Sequence, residues 1–375
     1  MTIVPRILIG FAALAAAATP SGVAAQTHAP TTVPGALPAE RPLTLAEAVN
    51  SAMRSNPLLQ ATGREVLRAR GGVNESRAAF LPTLSADLTL THLDQGVTAQ
   101  LGPDQSLTIV KQDQKSATVT AAIPLDAFGM IRAATSVAEF QYLIARLEFN
   151  RVRNQLVQDV TAAYYDVLRA EAFVNVARQA EANARERVRV SEAHLKAGTG
   201  TKFDVVRAQT ELANAEQGVL SARNRVSLAQ AALNRLIGFD QATPLKLESP
   251  APASNNVASQ VGDALEEAYR ARPEVLQADA GIKAAEKGLV LANRSALPSI
   301  GLAWNLQYNP DTGAFGRKSS WAAVARATVP IFDAGTSNAR KQQAQASIES
   351  ARLSRQQALD GIALDVRQAF LDFTD

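Results

Sequence analysis

The sequence predicts a mainly helical protein that also carries strands of membrane-spanning length, built as a tandem repeat. Three observations carry this. Gly129 and Gly198 enclose 68 residues without glycine or proline; as one helix these would extend about 100 Å. Four stretches alternate apolar and polar residues with period two. Sliding the chain along itself until Ala52 meets Ala268 also brings Arg54, Pro57, Leu81 and Pro82 onto Arg270, Pro273, Leu297 and Pro298, and a second, slightly smaller offset brings Pro124, Gly129 and Asp159 onto Pro330, Gly335 and Asp365. A fixed internal offset marks a repeated structural unit.

The elements follow in order. Residues 1–25 read as an export signal, with Arg6 as its positive region, Ile7 to Ala18 as its apolar stretch and Val23-Ala24-Ala25 before the cut. A membrane-anchoring helix is the other reading, although the run is shorter than the roughly 20 residues a span needs. Residues 26–42 hold Pro30, Pro34, Pro38 and Pro42, a composition that favours an extended connector. The first repeat occupies residues 43–240. Thr44 and Glu47 have capping-box spacing, and Asn56-Pro57 ends the first short helix because a residue before proline leaves the α region. Strands are expected over 83–92 and 116–124, and a helical hairpin over 129–238 with its tip at Gly198 to Gly200. Its first helix carries apolar positions from Leu156 through Val160, Val167 and Val174; its second repeats the spacing from Val205 to Leu236, with alanine at every other seam position between Ala208 and Ala229. Steps of three and four sustained this long indicate a supercoiled seam. Residues 241–258 form a linker, and the second repeat fills 259–375 with strands over 299–308 and 321–330.

Composition excludes much else. With no cysteine, thiol nucleophiles, disulfides, Cys-bound zinc and a Cys-linked lipid are ruled out for this sequence. His28, His92 and His194 are scattered, and no HExxH, GxSxG, GxGxxG or P-loop pattern occurs. Neither an enzyme, a metal site nor a cofactor is expected. The net charge of +3 is spread along the chain, so no nucleic-acid partner is expected either.

Strands of about ten residues cross a bilayer when tilted, and the alternative is a soluble, half-buried sheet. If they do cross, four per chain cannot close a barrel, and open edges cannot face lipid. Two copies would supply 8 strands and three would supply 12; the larger ring leaves room for a conduit. Asp87, Thr89, Thr118, Thr120, Asn305 and Arg326 would then be pore-lining candidates, although for Arg326 an ordinary solvated arginine is the preferred reading. Trp304, Tyr308 and Trp321 would be girdle candidates.

The tip segment Leu195-Lys196-Ala197-Gly198-Thr199-Gly200-Thr201-Lys202-Phe203-Asp204-Val205, followed by Ala208-Gln209 and Leu212-Ala213, resembles the most characteristic stretch of the outer membrane efflux protein family typified by TolC. The duplicated order of short helix, Asn/Arg-Pro, helix, Leu-Pro, strand pair, hydrophobe-Pro and long hairpin is similar too, over residues 43–375. The resemblance implies a mainly α protein with membrane β structure: long antiparallel coiled-coil hairpins joined to a 12-stranded β-barrel shared by a homotrimer in outer-membrane lipid. It also implies a passive channel for efflux or type I secretion, whose tips meet a periplasmic adaptor and an inner-membrane pump. Gly198, Thr199, Gly200, Thr201 and Asp204 are the adaptor-contact and gating positions it supplies. Asp204 also reads as the acid of a Thr201 capping box, and both glycines as residues that need positive φ. Against the first repeat, about 70 residues are expected to be missing after Asp375, including a second tip. A periplasmic coiled-coil adaptor and a nonfunctional fragment are the competing readings.

Overall fold

A computed structural model describes residues 42–102, 105–249, 260–312 and 317–374. The expected export signal, nearly all of the proline-rich connector and Pro250 to Val257 lie outside the described residues. The chain begins with α1 (Leu45–Ser55), whose capping box is present: the Thr44 hydroxyl accepts from Glu47 N at 3.2 Å while the Glu47 carboxylate accepts from Thr44 N at 3.1 Å. Asn56 separates it from α2 (Pro57–Ala78). Proline suits the first helical position, because the amide it lacks would have no partner there. Then come β1 (Thr83–His92), β2 (Val97–Gly102), β3 (Gln105–Val110), β4 (Asp113–Leu125), α3 (Met130–Lys196) and α4 (Lys202–Ile237). The second repeat holds α5 (Val261–Ala271), α6 (Pro273–Arg294), β5 (Ser299–Tyr308), β6 (Ser319–Thr328) and α7 (Thr336–Thr374).

The repeat survives element by element. α1, α2 and β1 recur as α5, α6 and β5 at the offset that carries Ala52 to Ala268, and the start of α3 recurs as that of α7 at the offset that carries Gly129 to Gly335. Strand pairing obeys the same two offsets, since Thr83 opposite Ala122 in β1 and β4 becomes Ser299 opposite Thr328 in β5 and β6. Two strand boundaries are corrected. The stretch expected at 116–124 is longer, because β4 is paired on both sides. The one expected at 321–330 begins and ends two residues earlier: Ser319 and Ser320 find partners in Tyr308 and Gln307, while Pro330 has no amide to give a ladder. The longer loop of the first repeat holds an unexpected hairpin, β2 against β3.

The main sheet has the order β1-β4-β5-β6, antiparallel throughout, so β1 and β6 are its edges. All four strands meet the helices at one end and the two loops at the other.

α3 is unbroken over 67 residues. Its lower half packs on α4, and its upper part on α2 and α6. Every expected seam position is buried or half-buried, with Val160, Val167 and Leu233 fully enclosed. The alanines let the helices approach, and the intervening Val and Leu fill the space between them. The core continues where α1 lies across the pair, enclosing Ala48, Ala52, Tyr164 and Ile237. Tyr164 is fully buried, and its hydroxyl stands 2.8 Å from Leu43 O and 2.6 Å from Glu248 O. The two carbonyls lie at a single parallel bridge between Leu43 and Leu247, so the first part of the expected linker is tied back to the start of the first repeat at one point. α2 continues α4 end to end. Asn56 Oδ1 accepts from Leu58 N and Leu59 N while its Nδ2 reaches Leu236 O at 3.4 Å, and the Ser51 and Ser55 hydroxyls donate to Ile237 O at 3.0 and 2.6 Å. One side chain thus caps the start of one helix and the end of another.

Candidate functional site

The sheet register decides what each strand residue faces, because directly paired residues share a face. One row runs Asp87, Thr118, Gln307, Ser320, and the next Ser85, Thr120, Asn305, Ala322; Arg326 stands opposite Gly301 on the same side, and Thr89 opposite Ser116. All six strand candidates therefore lie on one face. Gln307 and Ser85 join them and were readable from the same alternation. The opposite face runs Leu84, Ala121, Trp304, Ala323 and then Ala86, Val119, Leu306, Trp321, with Tyr308 near the loop end of β5 and Trp304 in mid-strand. One side is thus suited to water and the other to hydrocarbon. Among the described residues, no helix is long and apolar enough to cross a membrane, and no group of three metal-ligating side chains forms.

At the far end the two loops are tied together. Lys111 Nζ lies 3.1 Å from Asp311 Oδ1, and Lys115 N donates to Asp311 Oδ2 at 3.0 Å. The hydrogen bond from Lys111 holds the Asp311 carboxyl below its ordinary range. Nothing local in the sequence announces this link, since Lys111 and Asp311 lie in different repeats.

The other candidate region is the hairpin tip. α3 ends as Ala197 N and Gly198 N bond back to Ala193 O and Leu195 O, and Thr199 N and Gly200 N converge on His194 O at 2.9 and 3.1 Å. Gly198 has φ 76°, in the left-handed region. Gly200 is corrected: its backbone is not left-handed, and it is needed for close approach instead, as an added Cβ would lie 3.1 Å from His194 Cβ and 3.2 Å from Leu195 N. His194 is exposed, with Nδ1 3.1 Å from Thr199 Oγ1. Thr201 starts α4, and its amide and hydroxyl donate to Asp204 Oδ2 at 3.0 and 2.6 Å while Asp204 N donates back to the hydroxyl at 3.2 Å. The capping reading of Asp204 is thereby shown. Phe203 and Val206 beside it are 72% and 58% exposed, an apolar surface that the single chain leaves open.

Two results are expected here. Gly198→Ala forces a left-handed alanine, which costs about 1–2 kcal/mol, measurable as a lowered midpoint when helix unfolding is followed by circular dichroism. The Thr201 hydroxyl, then its amide, hold the Asp204 pKa below its ordinary value. A lowered folded pKa means stabilisation that is complete above the unfolded value of about 3.9 and lost as pH falls through the folded one. The stability difference between the native chain and Asp204→Ala should therefore be constant from pH 7 to 5 and shrink in more acid solution; a difference that grows on acidification contradicts the cap.

Comparison with known proteins agrees with this architecture. The family model described as outer membrane efflux protein matches residues 48–239 and 264–374. The chain is 27% identical over 318 residues to outer membrane protein OprJ of Pseudomonas aeruginosa, covering 81% of this chain and 63% of OprJ. It is 25% identical over 361 residues to protein CyaE of Bordetella pertussis, covering 95% of this chain and 74% of CyaE. It thus spans less than two thirds of the length of OprJ. Among solved structures, the outer-membrane channel OprN superposes with a TM-score of 0.74 at 20% identity, over 88% of this chain and 74% of that one. A matched model over both repeats, with the fold to go with it, makes this chain a member of the outer membrane efflux protein family.

Proposed function

We propose that the chain is a subunit of an outer-membrane channel, and that three copies close a 12-stranded barrel through which solutes leave the cell passively. One observation carries this reading: a four-stranded antiparallel sheet with one apolar and one polar face, open at both edges, joined to long helices of which α3 alone extends about 100 Å. In lipid every unpaired backbone group costs several kcal/mol, so the edges of one copy must be met by those of others. Four is an even number, so β1 and β6 run in opposite directions and meet antiparallel in a ring of copies. Asp87, Thr89, Thr118, Thr120, Asn305 and Arg326 then line the water-filled interior, while Leu84, Leu88 and Trp304 face lipid. The helices continue the barrel into the periplasm, and the exposed tip from Gly198 to Val206 is the surface offered to a periplasmic adaptor and, through it, to an inner-membrane pump. Polar links through Asp204 between tips would contribute to closing the tunnel.

No chemistry is asked of the channel, so the cargo follows the pump. Relatives bear names as different as toluene efflux pump outer membrane protein (TtgF of Pseudomonas putida) and cation efflux system protein (CusC of Escherichia coli). The test is fractionation. The chain should be found in outer membranes as a trimer that resists detergent and dissociates on heating, and should conduct ions in planar bilayers. A water-soluble monomer overturns the reading.

A further inference from the structure

Both edge strands are exposed along their whole length, whereas β4 and β5 are half-buried between neighbours. The chain holds its own template for what belongs at those edges. β4 closes the strand pair of the first repeat, β5 opens that of the second, and they pair with Ala117 opposite Tyr308, Ala121 opposite Trp304 and Leu125 opposite Ile300. β6 is the repeat counterpart of β4, with Ala327 in the place of Ala121, and β1 is that of β5, with Leu88 in the place of Trp304. Carried from the β4 to β5 seam onto these counterparts, the pairing places Ala327 opposite Leu88 of the next copy, Thr328 opposite Asp87, Arg326 opposite Thr89 and Ile331 opposite Leu84. The transfer is licensed by the pairing inside the repeats, which follows the same two offsets without a slip.

We propose that β6 of one copy pairs with β1 of the next in this register, and that Arg326 and Asp87 form an ion pair across the seam. The proposal rests on the ring of copies proposed above and adds its residue-level geometry. Two observations outside the template agree with it. The register keeps the pleat in phase, setting Ser85, Asp87 and Thr89 of β1 on the face that carries Ser320, Arg326 and Thr328 of β6, and Leu84, Leu88 and Leu90 on the face that carries Trp321, Ala325 and Ala327. Charge is complementary as well: Asp87 is the charged residue on the polar face of β1, and Arg326 is the charged residue on that of β6. They become diagonal neighbours, about 7–8 Å apart at the backbone and within reach of an arginine side chain. On the other face Ile331 and Leu84, 96% and 75% exposed in the single chain, cover one another.

Because the chain has no cysteine, disulfide trapping reads the register directly. Opposed residues have Cα atoms about 4.5–5.5 Å apart, inside the range of a disulfide, and a two-residue slip carries them beyond about 7 Å. Leu88→Cys with Ala327→Cys should give a reductant-sensitive covalent trimer in outer membranes. Leu88→Cys with Ala325→Cys, or with Val329→Cys, should not. The repeat counterpart within one chain, Ala121→Cys with Trp304→Cys, serves as the positive control. A covalent trimer from either off-register pair overturns the register and leaves the ring standing. No covalent species from any of the three pairs, with the control bridged, overturns the seam; if the native chain is also monomeric, the channel reading falls with it. For the ion pair, Asp87→Arg and Arg326→Asp should each lower the temperature at which the trimer dissociates, and the combined swap should restore most of the loss. A swap no more stable than the single variants overturns the pair.

Discussion

Truncating Tyr164 to alanine should destabilise the helical part of the protein by about 3–5 kcal/mol, the range for removing a fully buried aromatic ring. The residue has no exposed surface and packs among Leu43, Ala48, Val160, Val167 and Leu233. Burial also pushes its phenol pKa up. Tyr164→Phe separates the two contributions. It keeps the ring and strands the Glu248 carbonyl, at a cost of about 1–3 kcal/mol. The equivalent position in the second repeat is Phe370, which has no hydroxyl to hold such a strap. Chemical denaturation followed by circular dichroism measures both. A phenylalanine variant indistinguishable from the native chain would mean that the hydroxyl's contacts with Leu43 O and Glu248 O add nothing.

Trp304→Arg should cost about 2–4 kcal/mol per chain, the penalty for a cation on the lipid face near the middle of the bilayer. The adjacent Asn305→Arg should be nearly neutral for assembly, since neighbouring residues of a strand point to opposite faces. The two changes are one residue apart and chemically alike, so only the environment of the face distinguishes them. The measurement is the amount of heat-dissociable trimer recovered from outer membranes. Equal loss from both substitutions, or a larger loss from Asn305→Arg, would reverse the assignment of faces.

Much of this architecture can be read from the residues, because it is written in short-range periodicity. The helical seam repeats every three or four residues, the strands alternate, and each capping box sits within four consecutive residues. The duplication supplies boundaries twice over, which is why α2 and α6 fall in register to the residue. Other features depend on partners far away in sequence. The Leu43 to Leu247 bridge, the Lys111 to Asp311 link and the β4 to β5 seam each join a part of the first repeat that precedes its long hairpin to a segment beyond that hairpin, and no local pattern encodes them. The β2 to β3 hairpin escapes for another reason: each strand is only six residues long, and the two form a sheet of their own joined to the second repeat by a single bridge from Val110 to Thr312. Gly200 invites the wrong reading because glycine serves both left-handed backbone and tight contact, and the sequence shows only the glycine. For the candidate site, the polar strand face and the Asp204 cap are legible; the pairing that sets Gln307 beside Thr118 requires the fold.

Asn56 has a mechanical consequence. α3 is a single rod, but its companion along the wall is spliced, α4 below and α2 above, with Asn56 as the joint. A continuous helix resists bending through its whole ladder of hydrogen bonds, whereas the spliced strut can hinge at one height by stretching a few side-chain contacts. Bending stiffness at that height therefore rests mainly on α3, whose hydrogen-bond ladder runs past the joint unbroken.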